Sequence, residues 1–358
     1  MKRGTKILVT LILIIILFLV GSIIWYNSMI KPVSSDNTEI VVLVKKGSNI
    51  NQIGTTLYEK GLIKSELAYK IYVKLNKPSE VQSGEYVFKK SMDVKSIMDI
   101  LESGPNIAEI TTNIQFTEGK NINWIAKTIA DKTYYNKEED VYNLLKDEEY
   151  IDSLIEKYWF LTDEIKNKDI YYPLEGYLYP DTYNVRKDWG VKPIFETMLK
   201  TMGEKLEPYK AQIEASNMTV HEYLTLASMV ELEASNYADR ENVASVIYNR
   251  LDKNMSLGID VTTYYAFKVK LGERDLTKKE LDTYNPYNTR GPQMQGKLPV
   301  GPIGMVSAES LKATFAHKKT DYLYYVSDKN EKMYFTTSQL EHENTITDLK
   351  NSGLWLTY

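Results

Sequence analysis

The first strong pattern along the chain is an uninterrupted apolar run, Ile7 to Tyr26, with no charged residue. It is about the twenty residues that a helix needs to cross the hydrocarbon of a bilayer. No small-x-small cleavage site follows it, and Trp25-Tyr26 reads as an interfacial belt, so an uncleaved anchor is expected and not a signal peptide. Lys2, Arg3 and Lys6 precede the run, and only Lys31 follows closely before Asp36 and Glu39. The excess of basic residues on the N-terminal side places that end in the cytoplasm and the rest of the chain outside it. Residues 31–38 read as a polar linker.

Beyond the linker the pattern changes to strand, helix, helix, strand. Glu39 to Val44 alternates; Ile50, Ile53, Leu57 and Tyr58 recur at helical spacing after Gly47-Ser48. A second helix opens at Ser65 with Leu67, Ala68, Ile71, Tyr72 and Leu75, and Gly84 to Phe88 reads as the closing strand. A further helix from Val94 to Leu101 stops at Ser103-Gly104-Pro105, a plausible domain boundary. The turn Gly47-Ser48-Asn49-Ile50-Asn51-Gln52-Ile53 recurs as Gly119-Lys120-Asn121-Ile122-Asn123-Trp124-Ile125, each copy after a strand-like run. This is a strand-turn-helix device used twice, too widely spaced for a solenoid.

From Asn121 to about Lys210 the chain reads as acidic, Tyr-rich helices, interrupted by Tyr171 to Tyr183, whose two prolines, one glycine and five tyrosines form a turning or extended segment. Its flat rings suit either core packing, the commoner fate of tyrosine, or a sugar-stacking groove. The clearest later helix runs from Thr219 to about Ser235, with Leu224, Ala227, Val230 and Glu231 on neighbouring faces. Glu231 therefore falls on the buried stripe. In apolar surroundings such a carboxyl keeps its proton and can act as a general acid; the competing reading is a buried ion pair with Arg240 or Arg250. Glu233 points to another face and is expected in solvent. The next helix, Asp239 to about Leu251, carries Val243, Val246, Ile247 and Leu251 as an apolar stripe. Loops at Gly258 to Tyr264, Asn285 to Arg290 and Leu298 to Gly304 are rich in hydroxyls, amides and rigid turns, groups that position sugars.

Composition narrows the chemistry. The 358 residues are 43% hydrophobic and 26% charged, a globular balance. A net charge of -4 offers no basic stripe for phosphates, so nucleic acid is not an expected partner. With no cysteine there is neither a disulfide nor a thiolate nucleophile. Three histidines without i,i+4 pairing leave no metal ligand set, and no cofactor is expected. Neither a Gly-x-Ser-x-Gly elbow nor a phosphate-cradling glycine loop occurs.

Several motifs, in order, resemble the membrane-anchored endolytic murein transglycosylases of the YceG-like (MltG) family: Leu174 to Tyr183, Leu226-Ala227-Ser228-Met229-Val230-Glu231-Leu232-Glu233, Asp239-Arg240, Asn249-Arg250-Leu251, Asp260 with Thr262, Pro286 to Thr289, and Leu298-Pro299 with Gly301-Pro302-Ile303. The resemblance implies an α+β chain: a cytoplasmic stub and transmembrane helix over 1–30, a small LysM-like βααβ domain over 39–104 and a larger YceG-like catalytic domain over 105–358. It implies Glu231 as the one catalytic acid and base, cutting the β-1,4 bond from N-acetylmuramic acid to N-acetylglucosamine in nascent peptidoglycan strands. The muramic acid's C6 hydroxyl attacks, leaving a 1,6-anhydro end and limiting strand length. Substrate-binding candidates on these motifs are Glu175, Tyr177, Asp260, Thr262, Tyr287, Asn288, Thr289, Pro299 and Gly301. Glycan strands, the membrane and cell-wall synthases are the implied partners. Two departures occur: Val261 where the family often has proline after the aspartate, and Val300 where it often has a second proline. A lysozyme-type hydrolase with Asp260 or Glu175 as second carboxylate, and a non-catalytic wall-binding scaffold, are the alternatives.

Overall fold

The computed structural model describes residues 3–45, 47–105 and 111–355. Lys2 lies outside them, and the side chains of Arg3 and Lys6, on which the orientation rests, are likewise outside the description. The chain forms two compact units, Met1–Ile110 and Thr111–Tyr358.

In the first unit, helix α1 (Arg3–Met29) contains the segment Thr10–Met29, of mean hydropathy 2.3, whose large aliphatic side chains are exposed. An exposed apolar helix of this length is compatible with a membrane span. Strand β1 (Glu39–Val44), helices α2 (Ile50–Glu59) and α3 (Glu66–Asn76), strand β2 (Gly84–Lys89) and helix α4 (Val94–Ser103) follow, matching the predicted order. β1 and β2 pair antiparallel, Glu39 opposite Lys89 and Val44 opposite Gly84. Val42, Val44, Tyr86 and Phe88 meet Leu57, Tyr69, Ile97 and Leu101 in one core. The turn before α2 works through Asn49, not Ser48: its side chain accepts from the Asn51 and Gln52 amides while Gln52 reaches back to the Asn49 amide. Satisfying helix-end amides in this way stabilises by about 1 kcal/mol.

The second unit opens with β3 (Thr111–Gln115), α5 (Ile122–Lys132), α6 (Glu138–Leu145) and α7 (Glu148–Lys157), then β4 (Thr182–Arg186), which pairs antiparallel with β3, and α8 (Val191–Leu206). β4 was not anticipated from the chain, because its five residues lie at the edge of the Tyr-rich segment. The second copy of the repeated turn is built like the first: Gly119 has φ +70° and Asn121 caps α5. Next come α9 (Lys210–Glu214), α10 (Val220–Glu233), α11 (Tyr237–Asp252), α12 (Asp260–Ala266), α13 (Lys278–Leu281), α14 (Ala308–Phe315), the hairpin β5 (Tyr324–Ser327) and β6 (Met333–Thr336), and α15 (Gln339–Asn351).

α10 is central. Every residue from Val220 to Val230 except Glu222 is buried, so this helix is surrounded and has no single apolar stripe. Thr219 and Glu222 cap its start in a reciprocal box. α11 and α14 pack on it, and α12 touches it more lightly. The Tyr-rich segment is packing: Tyr177, Tyr179 and Tyr183 are buried, and Tyr171 stacks against Tyr265 and Tyr287. Gly176, at φ +78°, lies against the Pro299–Gly304 loop, where an added Cβ would come within 2.3 Å of Pro302 Cβ. Gly176→Ala must both strain the backbone and displace that ring. It is expected to destabilise by roughly 2 kcal/mol or more, read from the urea midpoint of the full-length chain in detergent.

Candidate active site

The C-terminal turn of α10 holds two carboxylates with different surroundings. Glu231 is almost enclosed, its side chain 6% exposed beside Arg240 at 10%. Its Oε1 accepts from Arg240 Nη2 at 3.0 Å and its Oε2 from the Ser307 amide at 2.8 Å. Arg240, in the first turn of α11, also donates through Nε to Ala234 O at 3.0 Å and through Nη1 to Glu309 Oε2 at 2.7 Å. The surroundings of Glu231 are thus not purely apolar, because Arg240 lies in ion-pair contact with it. Glu309 is 59% exposed, so the guanidinium is shared between an enclosed carboxyl and one facing solvent. Burial of such a pair costs desolvation, and the extra hydrogen bonds, from Arg240 Nε to Ala234 O and from the Ser307 amide to Glu231, are what make it tolerable.

Glu233 is corrected in the other direction. It is half-buried, accepts from Tyr325 Oη at 2.9 Å, and burial pushes it up to about 7. The Tyr325 hydroxyl opposes the rise, as does Arg290, and Asp260 adds to it. Asp260 is exposed and paired with Arg290, so its electrostatic coupling is to Glu233.

The loop that presents Ser307 to Glu231 is strapped down along its length. Met305 and Lys120 exchange a backbone bond at 2.8 Å, Gly119 N donates to Met305 O at 2.8 Å, and Ile303 N donates to Ser228 Oγ at 3.1 Å. His221 Nε2 lies 2.8 Å from Val300 O. A carbonyl only accepts, so Nε2 carries the proton and Nδ1 receives the Tyr177 hydroxyl at 2.8 Å. Val300 N donates to Pro286 O at 3.0 Å, a bond that the proline expected there from the resemblance lacks. Val261 lies in the first turn of α12, where proline is also tolerated, so that departure costs little.

Most of the candidate sugar contacts are buried. Tyr177, Thr262, Tyr287, Asn288 and Thr289 are fully buried, and Pro299 and Gly301 are buried as well. Thr262 Oγ1 and Thr289 Oγ1 are 2.8 Å apart, Thr263 Oγ1 donates to Asn288 Oδ1 at 2.7 Å, and Asn288 Nδ2 donates to the Thr283 carbonyl at 2.8 Å. These bonds fix the loop geometry. Glu175 is 1% exposed; it accepts from the Ile122 amide at 3.1 Å and from Tyr265 Oη at 2.9 Å, and burial pushes it up to about 8. Glu309 and the Ser307 amide were not singled out from the chain as parts of the site, and Arg240 was named there as an ion-pair partner for Glu231; the Ser307-x-x-Ser310 helix start was the nearest signal of the other two.

The chain matches the YceG-like family over residues 42–348. It is 37% identical over 325 residues to the endolytic murein transglycosylase of Bacillus subtilis (strain 168), covering 90% of this chain and 88% of that protein. It is 32% identical over 342 residues to that of Streptococcus pneumoniae (strain D39), covering 61% of that longer protein. A yceG-like protein of Listeria monocytogenes, solved by crystallography, superposes with a TM-score of 0.61 at 32% identity, spanning 86% of this chain and 99% of that one.

Proposed function

The chain belongs to the YceG-like family, and on that premise we propose that it is a membrane-anchored endolytic murein transglycosylase, a lyase that cuts peptidoglycan glycan strands with Glu231. The observation that carries the assignment of the residue is the enclosure of Glu231 at the end of α10, between Arg240 and the Ser307 amide, beside solvent-facing Glu309. The chemistry needs one carboxyl. Its proton goes to the glycosidic oxygen as the bond from C1 of N-acetylmuramic acid breaks; the carboxylate then takes the proton of the C6 hydroxyl as that oxygen closes on C1. No water enters, and the product carries a 1,6-anhydro end. Arg240 and the Ser307 amide orient the carboxyl, and Glu309 takes up part of the guanidinium's charge.

The buried candidates on the motifs act by holding the loops around this carboxyl. α1 serves as the anchor, with the N-terminus cytoplasmic and the chain beyond about residue 30 outside, close to where new glycan emerges. Residues 39–104 are taken as a LysM-like domain and 105–358 as the catalytic domain, with 106–110 outside the described residues. Cell-wall synthases are the partners that such a location favours.

The test is incubation of the full-length chain in detergent micelles with uncrosslinked glycan strands, followed by mass spectrometry. Internal fragments with 1,6-anhydro ends are expected. Fragments with reducing ends alone would replace the reading by hydrolysis, and Asp260 would then have to be tested as the water-activating partner.

A further inference from the structure

A cavity of about 380 Å³ is lined by Arg250, Met255, Ser256, Gly258, Arg290 and Tyr324. Two guanidinium groups converge on it. Arg250 is half-buried, its plane 5.1 Å from the Tyr324 ring centroid, and it donates to three backbone carbonyls: Leu323 O at 2.6 Å, Leu257 O at 2.6 Å and Ser256 O at 3.3 Å. Carbonyl oxygens fix its orientation but carry no compensating charge. Among the described residues no carboxylate is ion-paired with it, and its Nη2 has no protein acceptor. Arg290 pairs through Nε with exposed Asp260, which leaves its outer edge open. Gly258 forms the floor: a Cβ there would lie 3.3 Å from Arg250 Nη1 and 3.9 Å from Arg290 Nη1, so the absence of a side chain keeps the space between the two cations clear. A partly desolvated guanidinium without a counter-ion, beside a second cation and an open cavity, is unfavourable until an anion enters.

We propose that this cavity is a subsite for a carboxylate of the peptide carried by the muramic acid, with Arg250 and Arg290 as its two donors. The inference rests on the transglycosylase reading, which supplies a substrate whose stem peptides bear free carboxylates. The planar guanidinium fork matches a carboxylate bidentately. Arg290 and Asp260 act electrostatically on Glu233, two residues past Glu231, so the cavity's cations belong with the same end of α10 as the catalytic carboxyl.

The test compares two substrates and one ligand. With the full-length chain in micelles, kcat/KM is measured on glycan strands that keep their peptides and on strands stripped of them by an amidase. Wild type is expected to prefer the peptide-bearing strands by on the order of tenfold to a hundredfold, the value of one charge-assisted contact. Arg290→Gln, at an exposed position that the fold does not depend on, is expected to collapse that ratio, chiefly through KM. Arg250→Lys, which keeps the charge but not the fork, reduces it. In parallel, a soluble muramyl tripeptide is titrated calorimetrically against the same protein, beside its fully amidated counterpart; amidation and Arg290→Gln should each weaken binding. An unchanged ratio in Arg290→Gln, no preference in wild type, or equal affinity for free and amidated peptide overturns the proposal. Should wild type cleave neither strand, the transglycosylase reading falls, and the titration still decides whether the cavity takes a carboxylate.

Discussion

Glu231→Gln is expected to abolish strand cleavage, lowering the rate on the order of a thousandfold or more, the usual contribution of a positioned acid and base. Glutamine keeps the shape of the side chain, and its carbonyl can still accept the Ser307 amide, now 2.8 Å from Oε2. What it lacks is a proton to give and a basic oxygen to receive one. The substitution also leaves Arg240 with one carboxylate in place of two. Removing one partner of a buried pair costs about 3–5 kcal/mol when the other charge is stranded. Here Arg240 retains Ala234 O and Glu309, the latter largely exposed, so a smaller loss of about 2 kcal/mol is expected. The measurement is therefore paired: anhydro-ended product by mass spectrometry, and the thermal transition of the same sample. Loss of product with the transition retained assigns the chemistry to Glu231; product formed by the folded variant removes that assignment.

How much of this site could be read from the chain depended on the range of the contact. Local rules did well: Asn49 and Asn121 each follow a left-handed glycine and cap a helix, and the strand, helix, helix, strand order of residues 39–89 came from periodicity alone. The position of Glu231 on α10 was legible for the same reason. Of its surroundings, the Arg240 ion pair was one of two open readings, whereas the Ser307 amide, 76 residues downstream, lies beyond any local rule. Helix geometry separates Glu231 from Glu233 but does not say which faces are covered, and the cover on Glu233 is Tyr325 of β5, in a hairpin that the chain did not announce. The same limit explains the sugar-suited loops. Thr262, Asn288 and Thr289 have the groups that bind sugars, yet those groups are spent on each other across 25 to 27 residues, which no spacing rule foresees.

Glu175 carries the second large prediction, a loss of stability as the pH rises that Glu175→Gln removes. The carboxyl is fully buried, ties the start of α5 to Tyr265 of α12, and is pushed up to about 8 by burial against the opposing pull of its hydrogen bonds. In the unfolded chain it titrates near 4.3. Below that value both states are protonated and the group has no effect on folding. Between there and about 8 the folded state binds the extra proton, so stability falls as pH rises, and above about 8 the full cost of an ionised buried carboxylate is present. A shift of that size corresponds to on the order of 5 kcal/mol. Glu233, raised to about 7, adds a slope of the same sign over a narrower window, so the readout is the difference between wild type and variant. In urea titrations of the full-length chain from pH 5 to pH 8, wild type should lose stability relative to Glu175→Gln throughout. Glutamine still accepts the Ile122 amide or the Tyr265 hydroxyl but leaves its own amide donor unpaired, which costs about 1–3 kcal/mol. The two curves therefore cross: wild type is the more stable protein near pH 5, and the variant equals or exceeds it by pH 8. Parallel curves would mean that Glu175 keeps the same charge across this range and that its hydrogen bonds, not its proton, hold α5 to α12.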